Sequence, residues 1–131
     1  MTLIKTMNAD GTLGHKTGSA VSGGSFTITS TPSSTTEISG KGVYVSPLEF
    51  TFTGGNATGF VNGSVQTAVP QKITSGATNV QVDGADTMNE GDFATVAMIG
   101  TISPPATPPT GPVTPAIVEV ATAGQDKMEN D

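Results

Sequence analysis

Apolar and polar residues alternate at period two along much of this chain, and each alternating run is cut short by Gly, Pro or Asn. No run places its apolar residues at the spacing of an amphipathic helix. The clearest run is residues 48–53, LEFTFT. Leu48, Phe50 and Phe52 fall on one face and Glu49, Thr51 and Thr53 on the other. Burying two Phe on one face contributes roughly 3–6 kcal/mol, so this strand is expected at the centre of the core. Residues 26–29, 43–45, 60–61, 65–69 and 116–120 are shorter strand candidates, and residues 1–24, with His15 and the start of a Gly- and Ser-rich run, are expected to be loop-like. Residues 93–99, FATVAMI, are apolar on both faces and are expected to form a strand buried on both sides. With 17 Gly and 9 Pro the chain predicts an all-β fold of short strands and turns. Its length sets one domain, 1–131. Within it, residues 101–115 form a Pro-rich connecting segment expected to run extended along a surface, outside any internal ladder.

The most compact unit is residues 79–92, NVQVDGADTMNEGD. Val80 and Val82 alternate with Gln81, Asp83-Gly84 is a tight-turn dipeptide, and Gly91-Asp92 closes the unit at a corner. Apart from recurring Gly-Val and Asp-Gly pairs, no strict internal repeat is expected.

Hydrophobic residues make up 34% and aromatics 5% of the chain, too little for a large self-sufficient core. A partner surface is the expected source of further burial. The net charge is −6 and all five basic residues are lysines, which excludes the clustered cations that nucleic-acid binding needs. Charge is uneven: of the eleven acids only Asp10, Glu37 and Glu49 precede residue 73. No cysteine is present, which removes disulfides, thiolate metal sites and cysteine nucleophiles. The first residues are too short and polar for a signal peptide, and no segment is apolar enough to span a membrane.

Catalytic chemistry is not expected. A Ser-His-Asp triad would have to use His15, the single histidine, and no G-x-S-x-G elbow surrounds any serine. His15 is the one weak candidate for a metal ligand, and it lacks the further ligands that zinc requires. Asp83, Asp86, Asn89, Glu90 and Asp92 form an oxygen-rich cluster, but their spacing does not match a calcium loop. Turn formation and solvation account for them.

The order of these segments resembles the PAAR (proline-alanine-alanine-arginine) family of spike-tip proteins from contractile injection systems. Val80 and Val82 match the strand of the family's unit, Asp83-Gly84 its turn and Gly91-Asp92 its close. The quartet itself falls on Asp86, Thr87, Met88 and Asn89, so all four eponymous residues are replaced. Residues 38–60 and 118–128 resemble other parts of PAAR-like proteins, and together the three segments cover about half the chain.

The resemblance implies a small conical tip seated, one copy per trimer, on a trimeric β-prism spike of the valine-glycine-repeat type. Such a tip sharpens a type VI secretion, phage-tail or extracellular injection spike for puncturing the target envelope. It is a structural baseplate component and not an enzyme, assembled in the bacterial cytoplasm, with transient contact to the target membrane and effector cargo as an optional partner. Phe93, Val96, Met98 and Ile99 are the spike-docking candidates. The family often holds zinc or iron near the apex with His and Cys; the ligands present here do not support such a cofactor. The alternative is a β-rich phage fibre, adhesin or capsid-decoration module, which explains the composition equally well.

Overall fold

The computed structural model describes residues 4–38, 40–76, 81–82, 84–104, 109–124 and 129–130. Fourteen strands and no helix are found among them, so the fold is all-β. They are β1 (Ile4–Lys5), β2 (Thr12–His15), β3 (Ser22–Ile28), β4 (Glu37–Ile38), β5 (Lys41–Gly42), β6 (Leu48–Asn56), β7 (Gln71–Ile73), β8 (Gln81–Val82), β9 (Ala85–Asp86), β10 (Phe93–Thr95), β11 (Ile99–Thr101), β12 (Thr110–Pro112), β13 (Ile117–Thr122) and β14 (Glu129–Asn130).

Period-two patterning does the main work. In β6, Leu48, Phe50 and Phe52 are fully buried while Thr53 is exposed. In β13, Val118 and Val120 are buried between half-buried Ile117 and Glu119. Two three-stranded antiparallel sheets carry these faces, in the orders β3-β6-β7 and β10-β13-β2. Their free edges approach each other, β2 beside β3 and β7 beside β10. Six strands therefore close a ring around Leu48, Phe50, Phe52, Ile73, Val118 and Val120.

One unit is used three times. A strand runs in, a two-stranded hairpin turns the chain, three extended residues follow, and a strand runs out. The first unit is β3, β4/β5, residues 43–45 and β6. The second is β7, β8/β9, residues 87–89 and β10. The third is β13, β14/β1, residues 6–8 and β2. In the third the two arms come from opposite ends of the sequence, with Ile4 opposite Asn130 and Lys5 opposite Glu129. A second, smaller apolar cluster of Ile38, Val43 and Val82 lies at the hairpins.

Three expectations are corrected. Residues 93–99 are buried on one face: Val96 and Met98 point inward while Phe93, Thr95 and Ala97 are exposed. The chain leaves the β10 sheet at Val96, whose N–H donates to Ala116 O, and begins a separate ladder at Ile99. The Pro-rich segment does enter a ladder, because β12 pairs with β11, placing Pro112 opposite Ile99. The ladder has only two strands, so the missing proline N–H faces an open edge. Ser46-Pro47, Ser103-Pro104 and Thr114-Pro115 are cis. The expected loop at residues 1–24 is partly strand: it contains β1 and β2, and β3 begins at Ser22.

The glycines of that segment have a packing reason. The Phe52 ring lies between Gly24 and Gly55, and a Cβ on either residue would run into it. Gly55 does not have a positive φ, so packing against the Phe52 ring, with Val21 beside it, dictates the choice. Gly55→Ala is expected to cost about 1–3 kcal/mol of unfolding free energy in a denaturant titration, as overpacking does; a loss of only a few tenths would contradict this packing.

Candidate functional site

Three extended triplets meet where the hairpins join the barrel: Thr6-Met7-Asn8, Val43-Tyr44-Val45 and Thr87-Met88-Asn89. Each pairs with both others through single antiparallel bridges, Thr6 with Asn89, Asn8 with Val43 and Val45 with Thr87. In every bridge the last residue of one triplet faces the first residue of another. The middle residues close a ring of hydrogen bonds. Met7 N–H donates to Met88 O (2.7 Å), Met88 N–H to Tyr44 O (2.9 Å) and Tyr44 N–H to Met7 O (3.1 Å). Each middle residue thus donates once and accepts once, and the ring has pseudo-threefold symmetry.

The ring is sealed from water. Met7, Met88, Thr6, Asn8, Thr87 and Asn89 are fully buried and Tyr44 is nearly so. Burial pushes the Tyr44 hydroxyl pKa up. Four buried polar side chains need partners, and the turns supply them. Asn8 donates through Nδ2 to Ile38 O (2.9 Å) and accepts through Oδ1 from Asp10 N–H (2.9 Å). Asn89 donates through Nδ2 to Thr87 O (3.0 Å), and its Oδ1 receives the Thr6 and Thr87 hydroxyls at 3.4 Å each. Asn8 bonds the backbone two residues on and so holds its turn, whereas Asn89 bonds the backbone two residues back. The turns match: Gly11 N–H donates to Asn8 O and Asp92 N–H to Asn89 O.

The residues singled out from sequence have different fates. Val82 is buried in the hairpin cluster, and Gly84 and Gly91 take the left-handed φ values of +81° and +93° that their turns require. Val80 and Asp83 lie outside the described residues. Asp92 is buried, and its carboxylate accepts from Asn89 N–H (2.8 Å) and Gly76 N–H (3.1 Å). Asp86 accepts from Gln81 Nε2. Asp86 and Asp92 are therefore committed to local structure, while Glu90 is exposed.

Among the docking candidates, Val96 and Met98 are core residues, so they offer no surface to a partner. Ile99 is half-buried in β11, on the far side of the barrel from the hairpins. Phe93 is 55% exposed, with the Lys16 ammonium 4.6 Å from its ring centre.

His15 is wedged between Phe26 and Phe52, 5.1 Å from each ring centre, and its Nε2 lies 2.7 Å from Gly23 O. A carbonyl only accepts, so Nε2 carries the proton. Nδ1 is buried without a partner. Among the described residues no three His, Asp or Glu side chains cluster to hold a metal ion, and the geometry gives His15 a clasping role between β2 and β3.

The threefold unit was marked in the sequence by an identical Thr-Met-Asn at 6–8 and 87–89. The third copy, Val43-Tyr44-Val45, shares none of those residues, so the threefold unit repeats in structure and not strictly in sequence. No family model matches the chain, and no curated protein or solved structure matches it.

Two outcomes test this geometry. Asn8→Ala strands Ile38 O and Asp10 N–H, and thermal or chemical unfolding is expected to show a loss of about 1–3 kcal/mol. Asp92 has its pKa raised from the ordinary 3.8, chiefly by burial, against the opposing bonds from Asn89, Gly76 and Ser75. A raised carboxyl pKa adds stability below the ordinary value, lost as pH rises through the higher folded one. The difference in Tm between the natural chain and Asp92→Asn is thus expected to move in favour of the natural chain as pH falls from neutral to about 3; movement the other way would refute the burial argument.

Proposed function

We propose that this chain is a structural cap that seats, one copy at a time, on the end of a trimeric spike in a contractile injection machine. The observation that carries the reading is the ring formed by Met7, Tyr44 and Met88, because it gives one chain an internal threefold axis. A closed trimer offers three identical surfaces around its axis, and a single ligand can meet all three only if it repeats its own surface threefold.

The same symmetry selects the docking end. The hairpins β4/β5, β8/β9 and β14/β1 surround the ring as three near-equivalent units. The opposite end is unequal. There β2 connects to β3 through residues 16–21, β6 to β7 through 57–70 and β10 to β13 through 96–116. The two longer connections also pair with each other, through Phe60 with Ile102 and Gln66 with Ile99. A threefold partner fits the hairpin end, and this reading moves the docking surface away from Val96, Met98 and Ile99.

The leading end suits an envelope-crossing tip for a second reason. The described residues of the two longer connections, 57–70, 96–104 and 109–116, contain no charged residue, and the short connection has one, Lys16, whose ammonium lies over the Phe93 ring, so moving that end through a low-dielectric layer carries only a small charge-desolvation penalty. Charged Glu37, Lys41 and Asp86 lie in the hairpins instead. Function is then mechanical: a rigid cap, assembled in the cytoplasm with the particle, transmits the contraction force to the target membrane. A fibre or decoration module reaches threefold symmetry by assembling three chains, whereas here one chain has the axis already.

Native mass measurement of the chain with the trimeric spike of its own particle is expected to give one copy per trimer. Three copies, or no complex, would count against the cap. Gln81→Trp, on an exposed hairpin position, is expected to weaken that complex about tenfold or more, a loss of about 1.4 kcal/mol. Val69→Asp, at the 62% exposed Val69 of the opposite end, should leave it unchanged. The reverse pattern would invert the proposed orientation.

A further inference from the structure

The ring of six strands has three joins between successive units, and they are not alike. β6 meets β7 through paired backbone, with Leu48 opposite Ile73 and Phe50 opposite Gln71. β10 meets β13 in the same way, with Phe93 opposite Glu119 and Thr95 opposite Ile117. The third join, between β2 and β3, has no ladder. Across it the described residues place the His15 Nε2 bond to Gly23 O. Between that clasp and the ring lies a groove of about 530 Å³, lined among others by Gly11, Leu13, Ser25, Phe26, Ile28 and Tyr44.

Both walls of this groove are strand edges with their backbone groups aimed inward. In an antiparallel pair the residues alternate between bonding the partner strand and facing away from it. Lys16 N–H donates to Ile117 O, which makes Gly14 the next residue bonded to β13 and turns the backbone of Leu13 and His15 toward the groove. Thr29 N–H donates to Glu49 O, which makes Thr27 and Ser25 the residues bonded to β6 and turns Phe26 and Ile28 toward the groove. Leu13, Phe26 and Ile28 give the lining apolar side chains beside its polar backbone and hydroxyl groups, and among the described lining residues none is charged.

We infer that the β2/β3 join is an acceptor site for one extended, uncharged strand from a partner chain, which completes the barrel by β-augmentation. The chemistry selects the ligand. Facing rows of N–H and C=O groups are met in full only by another extended backbone. A charge-free lining favours a segment without Lys, Arg, Asp or Glu, since a charged side chain would be desolvated there without a counter-ion. Four residues of β2 span about 13 Å at ~3.3 Å per residue, room for a short strand. The two sister joins are closed by direct pairing, whereas an added strand would bridge this one through a ladder on each side. For the partner's identity this rests on the cap reading: the groove runs down from Ala9 and Tyr44, next to and within the ring, so a chain seated on the hairpin end can reach it.

The test uses the whole chain, isotope-labelled, with a short acetylated peptide of alternating Thr and Val. Hydrogen exchange at the amides of Leu13, His15, Phe26 and Ile28 is expected to slow by about tenfold or more at saturating peptide. A version with proline at the inward-bonding positions, which cannot donate, is expected to do nothing. Ser25→Trp, at an exposed wall position, should abolish the effect, whereas Thr74→Trp, exposed at the β7/β10 join, should preserve it. No slowing of the four amides at millimolar peptide overturns the inference, as does slowing confined to residues 74–76 and 91–93. Protection of the same amides on self-association without peptide would assign the join to a second copy and overturn it too. The experiment needs no spike, so an inert groove beside a one-per-trimer complex would remove this inference and leave the cap standing.

Discussion

Three backbone hydrogen bonds fix the rest of this molecule. Met7, Tyr44 and Met88 each give one N–H and take one through C=O, and the circle closes. Closure demands that all three triplets be extended and lie at one level. It also fixes what lies on either side: hairpins enter from one side, and β2, β6 and β10 leave on the other. The flanking Thr and Asn side chains are fully buried, so water cannot replace a broken ring bond. Each bond is then held by the cost of leaving a buried backbone group unpaired.

Symmetry stops at the ring. The barrel below it is filled unequally, with Phe50 and Phe52 from β6 taking the place that smaller residues such as Ala94 and Val96 hold along the second outgoing strand. Phe52 fits only because Gly24 and Gly55 have no side chains. Two neighbouring strand pairs of the barrel lack a ladder among the described residues. At β7/β10, Gln71 Oε1 accepts from Ala97 N–H and Asp92 Oδ1 from Gly76 N–H. At β2/β3 a single histidine spans the gap. Side chains thus act at both places where the backbone ladder fails.

Much of this was legible from period-two patterning. Residues 48–53 declare their buried face letter by letter, and Gly84 and Gly91 sit at turns that need positive φ. What could not be seen locally depends on long-range pairing. Residues 93–99 look apolar on both sides, yet whether a strand is covered once or twice is decided by its neighbours, and here the outer face meets solvent at Phe93. The Gly- and Ser-rich residues 22–25 carry no strand signal of their own and are recruited by pairing with β6. Two of the ring triplets share Thr-Met-Asn, while Val43-Tyr44-Val45 keeps only the geometry. The ring bonds use only the backbone of the middle residue, so Met and Tyr both serve there, each with its side chain packed in the core.

The most direct measurement of that central claim is native-state hydrogen exchange at three amides, those of Met7, Tyr44 and Met88. A closed ring opens as a unit, so the three should exchange last and together, with the free energy of global unfolding. Early exchange at any one of them, independent of the other two, would mean that the circle is not closed and that the internal threefold axis does not hold the fold.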